Sequence, residues 1–281
     1  MAFALARSYK YHNGTATAFC IISSDDYRLP HDLKWVRKKV VSPGETGPGL
    51  EFKLHLLDIA PSVRSVFIDA DSLIYDDIGF LFKAFSGDTP NVIGVKVTEG
   101  NWVDEDIKAA CAEFGLDYVI RYCGALYYLV RNGTGRRIFD HAMALYQSGR
   151  PFQRNERTMY DEPVIAMALS KYKVEPLIDD GNIWGDLVHF EYNSRLNVFK
   201  GPPVFGNIPG NRNYKFWLPA GGYKPKILHV GSGNHNRKPW LFDALRLKLH
   251  YQFFMPARMA DTVVNLLVVP FYSLARTLFR K

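Results

Sequence analysis

Short apolar runs alternate with helix-like segments along most of this chain. Four runs rich in apolar residues are bounded by turn-forming residues, which predicts strands. They span residues 66–68, 92–97, 126–130 and 226–230. Four longer segments have helical spacing after polar or acidic starts, which predicts helices. They span residues 77–85, 104–114, 136–147 and 162–172. This alternation predicts an α/β fold with a largely parallel central sheet flanked by helices, and ligands of such sheets bind at the carboxyl ends of the strands.

Three further regions complete the pattern. Residues 3–6 read Phe-Ala-Leu-Ala and predict a first strand near the N-terminus. Residues 199–222 are rich in glycine, proline and asparagine, which predicts a long loop region that shapes an acceptor pocket rather than forming core. Residues 241–281 predict a helical C-terminal segment, so we divide the chain into a domain of residues 1–240 and this appendage.

The composition is that of a globular protein. A chain of 281 residues that is 47% hydrophobic can bury a sizeable core. Its three cysteines, Cys20, Cys111 and Cys123, have no metal-type spacing, and an odd number favours a reducing compartment over a disulfide framework. The first residues lack the charged start and long apolar core of an export signal. We therefore expect a cytoplasmic protein.

The positive charge is concentrated at the C-terminal end. The whole chain has a net charge of +7, and residues 241–281 carry six basic and two acidic side chains among many aromatic and aliphatic ones. The uncharged stretch between Asp261 and Arg276 is too short to span a bilayer. Basic residues flanking apolar clusters predict a segment that contacts anionic lipid peripherally, and the aliphatic runs favour lipid over nucleic acid. The alternative is that these helices pack on the rest of the chain or on a second subunit.

Two aspartates follow the strand predicted at residues 66–68. In an extended chain alternate side chains share a face, so Asp69 and Asp71 project to the same side with only Ala70 between them. Paired carboxylates suit Mn²⁺ or Mg²⁺, which keep open positions for substrate phosphates. An isolated pair of this kind is also typical of a solvated acidic turn. A second feature is therefore needed.

That feature is the block that follows the strand predicted at residues 226–230. The strand ends in His229, whose imidazole can bind the same metal as the two aspartates. Gly231 and Gly233 let the backbone approach a ligand closely, and Lys238 offers positive charge to a diphosphate. A single histidine at a strand end is otherwise a satisfied core residue. The combination predicts a divalent-metal centre beside a phosphate-binding loop.

Together these motifs resemble the glycosyltransferases of family 8, which include glycogenin and the bacterial lipooligosaccharide galactosyltransferases. The resemblance spans about residues 50 to 240 and consists of four blocks in chain order. These are residues 52–55, 66–74, 160–163 and 229–240. It implies a GT-A fold and a metal-dependent transfer of a hexose from a UDP-sugar to a glycan or glycolipid acceptor, with retention at the anomeric carbon.

The resemblance also implies roles for individual residues. The metal ligands would be Asp69, Asp71 and His229. Donor-binding residues would be Lys53, Asp69, Gly124, Gly231 and Lys238. Tyr9, in the N-terminal region that the resemblance does not cover, is a further candidate donor-binding residue that would stack on the base. Asp161 would hold sugar hydroxyls. Glu162 stands where the family has glutamine, so its carboxylate would stabilise an oxocarbenium-like transition state or act as nucleophile.

The chain departs from the family in two further places. The segment from His229 to Lys238 is longer here, and residues 121–125 read Arg-Tyr-Cys-Gly-Ala where the family often has Asn-Ser-Gly.

Two other classes fit part of the sequence. A strand followed by Asp-x-Asp-Ser-Leu suits the aspartyl nucleophile of a haloacid-dehalogenase-like phosphatase, which uses Mg²⁺. In that class the motif usually opens the domain and its second aspartate precedes Gly-Thr, and the block from His229 has no role. A non-catalytic protein that binds a membrane surface, or a nucleotide-sugar without turnover, is the other alternative.

Overall fold

The computed structural model describes residues 1–47, 49–85, 87–102, 105–149, 153–155, 158–159, 161–186, 196–211, 214–231 and 240–272. Its helices are α1 (Ala2–Asn13), α2 (Pro43–Thr46), α3 (Leu56–Ile59), α4 (Leu81–Ala84), α5 (Ile107–Phe114), α6 (Gly133–Gln147), α7 (Asp161–Lys171), α8 (Trp240–Gln252) and α9 (Ala257–Val263). Residues Gly49–His55 form a 3-10 helix, and Val264–Val268 form a π-helical turn.

The strands are short and their pairing is mixed. They are β1 (Cys20–Ser23), β2 (Arg37–Val40), β3 (Arg64–Ile68), β4 (Ser72–Ile74), β5 (Ile93–Val97), β6 (Asn101–Trp102), β7 (Glu105–Asp106), β8 (Val119–Tyr122), β9 (Leu126–Val130), β10 (Gln153–Asn155), β11 (Thr158–Met159), β12 (Leu177–Ile178), β13 (Trp184–Asp186), β14 (Phe205–Asn207), β15 (Gly221–Tyr223) and β16 (Ile227–His229). The pairs β1–β2, β5–β12 and β13–β16 are parallel. The pairs β3–β9, β5–β8 and β4–β16 are antiparallel.

The α/β class is confirmed, but the largely parallel central sheet is not. The sheets formed by the described residues have two or three strands each and mix both directions. Apolar runs separated by helices indicate where strands lie, and they do not determine the direction in which a strand runs beside its partner. β4 illustrates this: it follows β3 after a three-residue turn and pairs with β16 instead of extending a parallel series.

The predicted strands at residues 66–68, 92–97, 126–130 and 226–230 correspond to β3, β5, β9 and β16. Three of the predicted helices correspond to α5, α6 and α7. The segment at residues 77–85 holds only the four-residue α4.

The strand predicted at residues 3–6 is wrong, because these residues begin α1. Leu5 and Ala6 are buried, and the Ser8 hydroxyl accepts a hydrogen bond of 3.0 Å from the backbone N–H of Ile74 in β4. A short apolar run fits a strand and a buried helix equally well, and alanine has the highest helix propensity. The helix therefore forms where its apolar residues pack on β4.

Helix α7 is the centre of the largest apolar core. Its residues Val164 to Leu169 are all buried, and they pack with apolar residues of β8, β9 and α6. A helix that is buried all round has little freedom to move. The first residues of α7, Asp161 and Glu162, are therefore held in a fixed position.

Helix α8 is anchored to the rest of the chain by a buried polar network. The Tyr75 hydroxyl donates to Asp243 Oδ2 at 2.7 Å, and Arg246 Nη1 donates to Asp243 Oδ1 at 2.7 Å. Arg246 Nε also donates to Asp261 of α9 at 3.0 Å. Among the helices of the described ranges, none is long and apolar enough to cross a membrane.

Candidate functional site

The turn that follows β3 carries Asp69 and Asp71 and is fixed by backbone hydrogen bonds on both sides. The N–H of Asp69 donates to the carbonyl of Ala125 at 2.9 Å, and the N–H of Val230 donates to the carbonyl of Asp71 at 3.2 Å. Ala125 lies just before β9, and Val230 lies just after β16. The turn is therefore held between β9 and β16.

The three metal ligands predicted from the sequence lie together. His229 Nε2 lies 3.4 Å from Asp71 Oδ1 and 3.8 Å from Asp69 Oδ2. One ligand atom from each residue falls within 4.8 Å of the other two. Two carboxylates and one imidazole make a donor set that suits Mn²⁺ or Mg²⁺ and leaves positions free for phosphate oxygens. These residues fit a hard divalent cation.

The environment sets the charge of these ligands. Burial raises the pKa of the Asp69 carboxyl, and nearby Lys53 opposes that shift. Burial alone would also raise the pKa of Asp71, but hydrogen bonding and charge attraction from His229 bring it below its usual value. Burial disfavours a charged His229, yet its hydrogen bonds to Asp186 and Asp71 raise its pKa.

Asp186 orients His229, and the sequence motifs did not reveal it. His229 Nδ1 donates to Asp186 Oδ1 at 2.6 Å, which leaves Nε2 facing the aspartate pair. The parallel register of β13 and β16 places these two residues side by side. The one available signal was an aspartate at the end of the short apolar run 183–184. A carboxylate on the far nitrogen fixes the ring orientation of a metal-binding histidine and raises its basicity.

Cys123 lies next to this pair, with Sγ 3.9 Å from His229 Nδ1 and 3.9 Å from Asp186 Oδ1. Burial, reinforced by the charge of Asp186, raises the pKa of the Cys123 thiol to about 12. The thiol is therefore neutral at ordinary pH and is a poor nucleophile.

Lys53 of the 3-10 helix connects the turn that carries Asp69 and Asp71 to α7. Its Nζ lies 3.1 Å from Asp69 Oδ2, 2.8 Å from the Gly124 carbonyl and 3.7 Å from Asp161 Oδ2. Burial opposes a charge on Lys53, but Asp69 and Asp161 outweigh it and raise the pKa of the amine. Lys53 is therefore a fixed positive charge beside the acidic cluster.

Asp161 and Glu162, at the start of α7, lie beside Lys53 and Gly124 respectively. Asp161 is 2% exposed, and within the described part of the chain its Oδ2 accepts no hydrogen bond. Glu162 Oε1 accepts a hydrogen bond of 2.7 Å from the N–H of Gly124. Burial and the charge of Asp161 raise the pKa of Glu162 to about 7. A buried carboxylate oxygen without a donor indicates a place where a ligand hydroxyl can bind.

Gly124 is required by this arrangement. A Cβ on that residue would lie 2.6 Å from Glu162 Oε1 and 2.9 Å from the Tyr127 hydroxyl. Gly231 has a φ of +74°, a conformation that favours glycine, directly after β16.

The remaining predicted residues are placed as follows. Tyr9 is buried in α1 against Phe19 and Trp35, and it lines a cleft of about 570 Å³ that also includes Asp69. Its role in base stacking stays a prediction. Gly233 and Lys238 lie outside the described residues.

A second cavity, of about 350 Å³, opens on Glu162 and His229. It is lined by Trp102, Trp184 and Trp217 together with charged side chains. Residues 215 and 217 belong to the segment predicted to be a pocket-shaping loop. That segment contains β14 and β15, and its Asn207 and Lys215 are buried.

Comparison with solved structures shows what this architecture is similar to. The structure superposes on the crystal structure of the galactosyltransferase LgtC in complex with donor and acceptor sugar analogues, with a TM-score of 0.52. The match covers 87% of this chain and 88% of LgtC, at 13% sequence identity. The chain has a glycosyltransferase-like fold. No protein-family model and no curated protein sequence matches it. LgtC has the GT-A fold, so the similarity supports that fold for this chain.

Proposed function

We propose that this protein is a metal-dependent glycosyltransferase that moves a hexose from a UDP-sugar to a glycan or glycolipid acceptor with retention. The observation that carries the proposal is the grouping of Asp69, Asp71 and His229 within 4.8 Å of one another. Lys53 adds a positive charge, and α7 adds the buried carboxylate of Asp161 and the half-buried carboxylate of Glu162. The similarity of the fold to a galactosyltransferase supports the same conclusion.

Asp69, Asp71 and His229 would hold Mn²⁺ or Mg²⁺. The bound ion supplies Lewis-acid neutralisation of the charge that develops on a diphosphate leaving group. The protein contributes fixed ligands, because the backbone bonds of the turn and the contact from Asp186 set their positions before the donor arrives.

The other residues act on the donor and its sugar. Lys53 offers its ammonium group to the donor phosphates or sugar, and Lys238 would offer a second positive charge. Asp161 Oδ2 would accept a hydrogen bond from a hydroxyl of the sugar and so orient the sugar ring. Glu162, held by the Gly124 N–H, would stabilise positive charge on the anomeric carbon, or would form a bond to that carbon as the carbon's bond to the diphosphate breaks. Tyr9 would stack on the base.

The test is release of nucleotide from a panel of UDP- and GDP-sugars with Mn²⁺, with and without EDTA. We expect release from a UDP-sugar that EDTA abolishes and that Asp71→Asn reduces by at least about 10²-fold. Asp117→Asn is the matched control, because Asp117 is exposed and pairs with Lys173 on the surface. Release that is unchanged in Asp71→Asn would refute the proposal. Metal-dependent hydrolysis of p-nitrophenyl phosphate without nucleotide release would favour the phosphatase alternative.

We also propose that the C-terminal segment contacts the cytoplasmic face of a membrane. Six large apolar side chains of this segment are more than half exposed: Phe253, Phe254, Met259, Leu266, Leu267 and Phe271. The basic residues Arg276, Arg280 and Lys281 follow, outside the described residues. Apolar insertion and charge attraction together bind such segments to anionic lipid.

Sedimentation with lipid vesicles tests this contact. We expect the protein to sediment with phosphatidylserine-containing vesicles and not with purely phosphatidylcholine vesicles, and Leu266→Ser with Leu267→Ser to weaken sedimentation. Equal sedimentation of the wild type and the double variant would refute the contact. A dimer that the double variant dissociates would assign the surface to a second subunit instead.

A further inference from the structure

Arg121 of β8 is a half-buried cation that lies beside two aromatic rings. Among the residues that the structure describes, no carboxylate comes within ion-pair distance of its guanidinium group. The guanidinium lies 5.5 Å from the ring centroid of Phe216 and 5.5 Å from that of Trp217. Burial lowers the pKa of this arginine, which shows that its charge is partly desolvated. Charges that proteins remove from water are normally paired, so the group is ready for an anion from outside.

The other charged groups beside Arg121 already have partners. Lys215 Nζ lies 3.1 Å from Asp179 Oδ2, and the Trp217 indole N–H donates to the same oxygen at 3.1 Å. Asp186 accepts the hydrogen bond from His229, and Glu162 accepts one from the Gly124 N–H. The carboxylates of this cavity are thus engaged by its other donors.

The cavity that Arg121 lines has the size and the walls of a sugar-binding site. Its volume is about 350 Å³, and three tryptophans, Trp102, Trp184 and Trp217, contribute to its lining. Flat aromatic rings pack against the C–H faces of a pyranose, and a few placed polar groups set its orientation. Glu162 and His229 also line the cavity, so a sugar bound there lies next to the proposed reaction centre.

The two cavities have no lining residue in common. The cleft that includes Tyr9 is lined by Asp69, whereas the tryptophan-lined cavity is lined by Glu162 and His229. If the donor nucleotide occupies the first, the second is left for the acceptor.

We propose that the tryptophan-lined cavity is an acceptor subsite for an acidic sugar, whose carboxylate or phosphate is bound by Arg121. The assignment of the cavity to the acceptor rests on the proposed transferase function. The planar guanidinium, held on Phe216 and Trp217, presents its free N–H groups for two parallel hydrogen bonds to the anion. Arg121 is then a specificity-determining residue.

Binding without donor or metal tests the subsite. Three of the five tryptophans line the cavity, so intrinsic fluorescence of the full chain reports occupancy. The probes are methyl glucuronide, glucose 6-phosphate and, as the neutral match, methyl glucoside. We expect the wild type to bind at least one acidic probe at least about tenfold more tightly than methyl glucoside. Which acidic probe binds more tightly tells whether the acceptor carries a carboxylate or a phosphate.

The variants locate the preference. Arg121→Met should bind all three probes with similar affinity, and Arg121→Lys should keep only part of the preference because it keeps the charge and loses the planar fork. Arg136→Met is the control, since Arg136 is an exposed arginine of α6, and it should keep the full preference. Circular dichroism of each variant checks folding. If Arg121→Met does not fold, the reduced preference of Arg121→Lys for acidic sugars becomes the test.

Two results would overturn the inference. One is equal affinity of the wild type for acidic and neutral sugars. The other is a preference that survives in Arg121→Met. If the protein releases nucleotide from a sugar donor but does not prefer acidic sugars, the subsite is refuted and the transferase function is not. If it prefers acidic sugars through Arg121 but releases no nucleotide, the transferase function is refuted and a binding site for acidic sugars remains.

Discussion

His229 is surrounded by three carboxylates that act on its two ring nitrogens. Asp186 holds Nδ1 at 2.6 Å, while Asp71 and Asp69 face Nε2. The imidazole is thereby fixed with one nitrogen available to a metal before any ion binds. An acidic residue that never touches the metal would therefore contribute to its affinity.

Asp186→Asn tests this contribution. We expect the Kd for Mn²⁺ to rise by about 10- to 100-fold, because the amide gives His229 no charged partner and does not raise its basicity. Electron paramagnetic resonance of free Mn²⁺ measures the Kd directly, with Asp117→Asn as a control that should leave it unchanged. A Kd within twofold of the wild type would mean that Asp186 does not position the ligand.

The role proposed for Glu162 predicts that the reaction depends on pH. Its pKa of about 7 means that the carboxyl group is protonated below pH 7 and ionised above it. If the ionised form is needed, the rate of sugar transfer falls as the pH decreases through about 7. Glu162→Gln should remove this limb of the profile and reduce the rate by about 10²-fold or more. Near-normal turnover in Glu162→Gln, with turnover lost in Asp71→Asn, would exclude the role.

At the scale of elements, the site depends on how closely the β8–β9 turn approaches α7. Gly124 of that turn donates its N–H to Glu162, and its carbonyl accepts from Lys53. The approach leaves no room for a side chain at residue 124. The backbone of Gly124 therefore helps to position both the ammonium group of Lys53 and the carboxylate of Glu162.

Gly124→Ala should displace Glu162 and Tyr127, because its Cβ would overlap them. We expect a loss of about 1–3 kcal/mol in the free energy of unfolding and a fall in turnover larger than that loss explains. Gly44→Ala is the matched control, since nothing lies within 4 Å of a Cβ there, and it should unfold at the same or a higher denaturant concentration. Equal behaviour of the two variants would show that the turn can shift without consequence.

Helix α8 is attached by the Arg246 network. Arg246→Met would leave Asp243 as a buried carboxylate whose remaining donors, among the described residues, are the Tyr75 hydroxyl and the Val198 N–H. We expect a loss of about 3–5 kcal/mol in the free energy of unfolding, measured in denaturant. Arg258→Met, at an exposed position of α9, should change it by less than about 0.5 kcal/mol. A small effect at residue 246 would indicate that the C-terminal helices are loosely attached.

At the scale of the whole molecule, residues distant in sequence meet where several strands end. The sequence predicted Asp69, Asp71 and His229 because each follows an apolar run, and the structure brings them together. It missed Asp186 because only the register of β13 and β16 places that residue beside His229. It did not single out Arg121 as a binding residue, because the position of this side chain beside Phe216 and Trp217 depends on tertiary packing. Strand direction and the fold of residues 3–6 depend on tertiary packing, which local patterns do not determine.

The metal centre and its nucleotide are the central claim, and a titration of Mn²⁺ tests them most directly. Electron paramagnetic resonance of the full chain should detect one Mn²⁺ site per chain whose affinity increases when UDP is added, because an ion held by these carboxylates would also attract the diphosphate. Asp71→Asn and His229→Ala should both lose this site. Absence of Mn²⁺ binding, or binding that both variants keep and UDP does not change, would contradict the assignment.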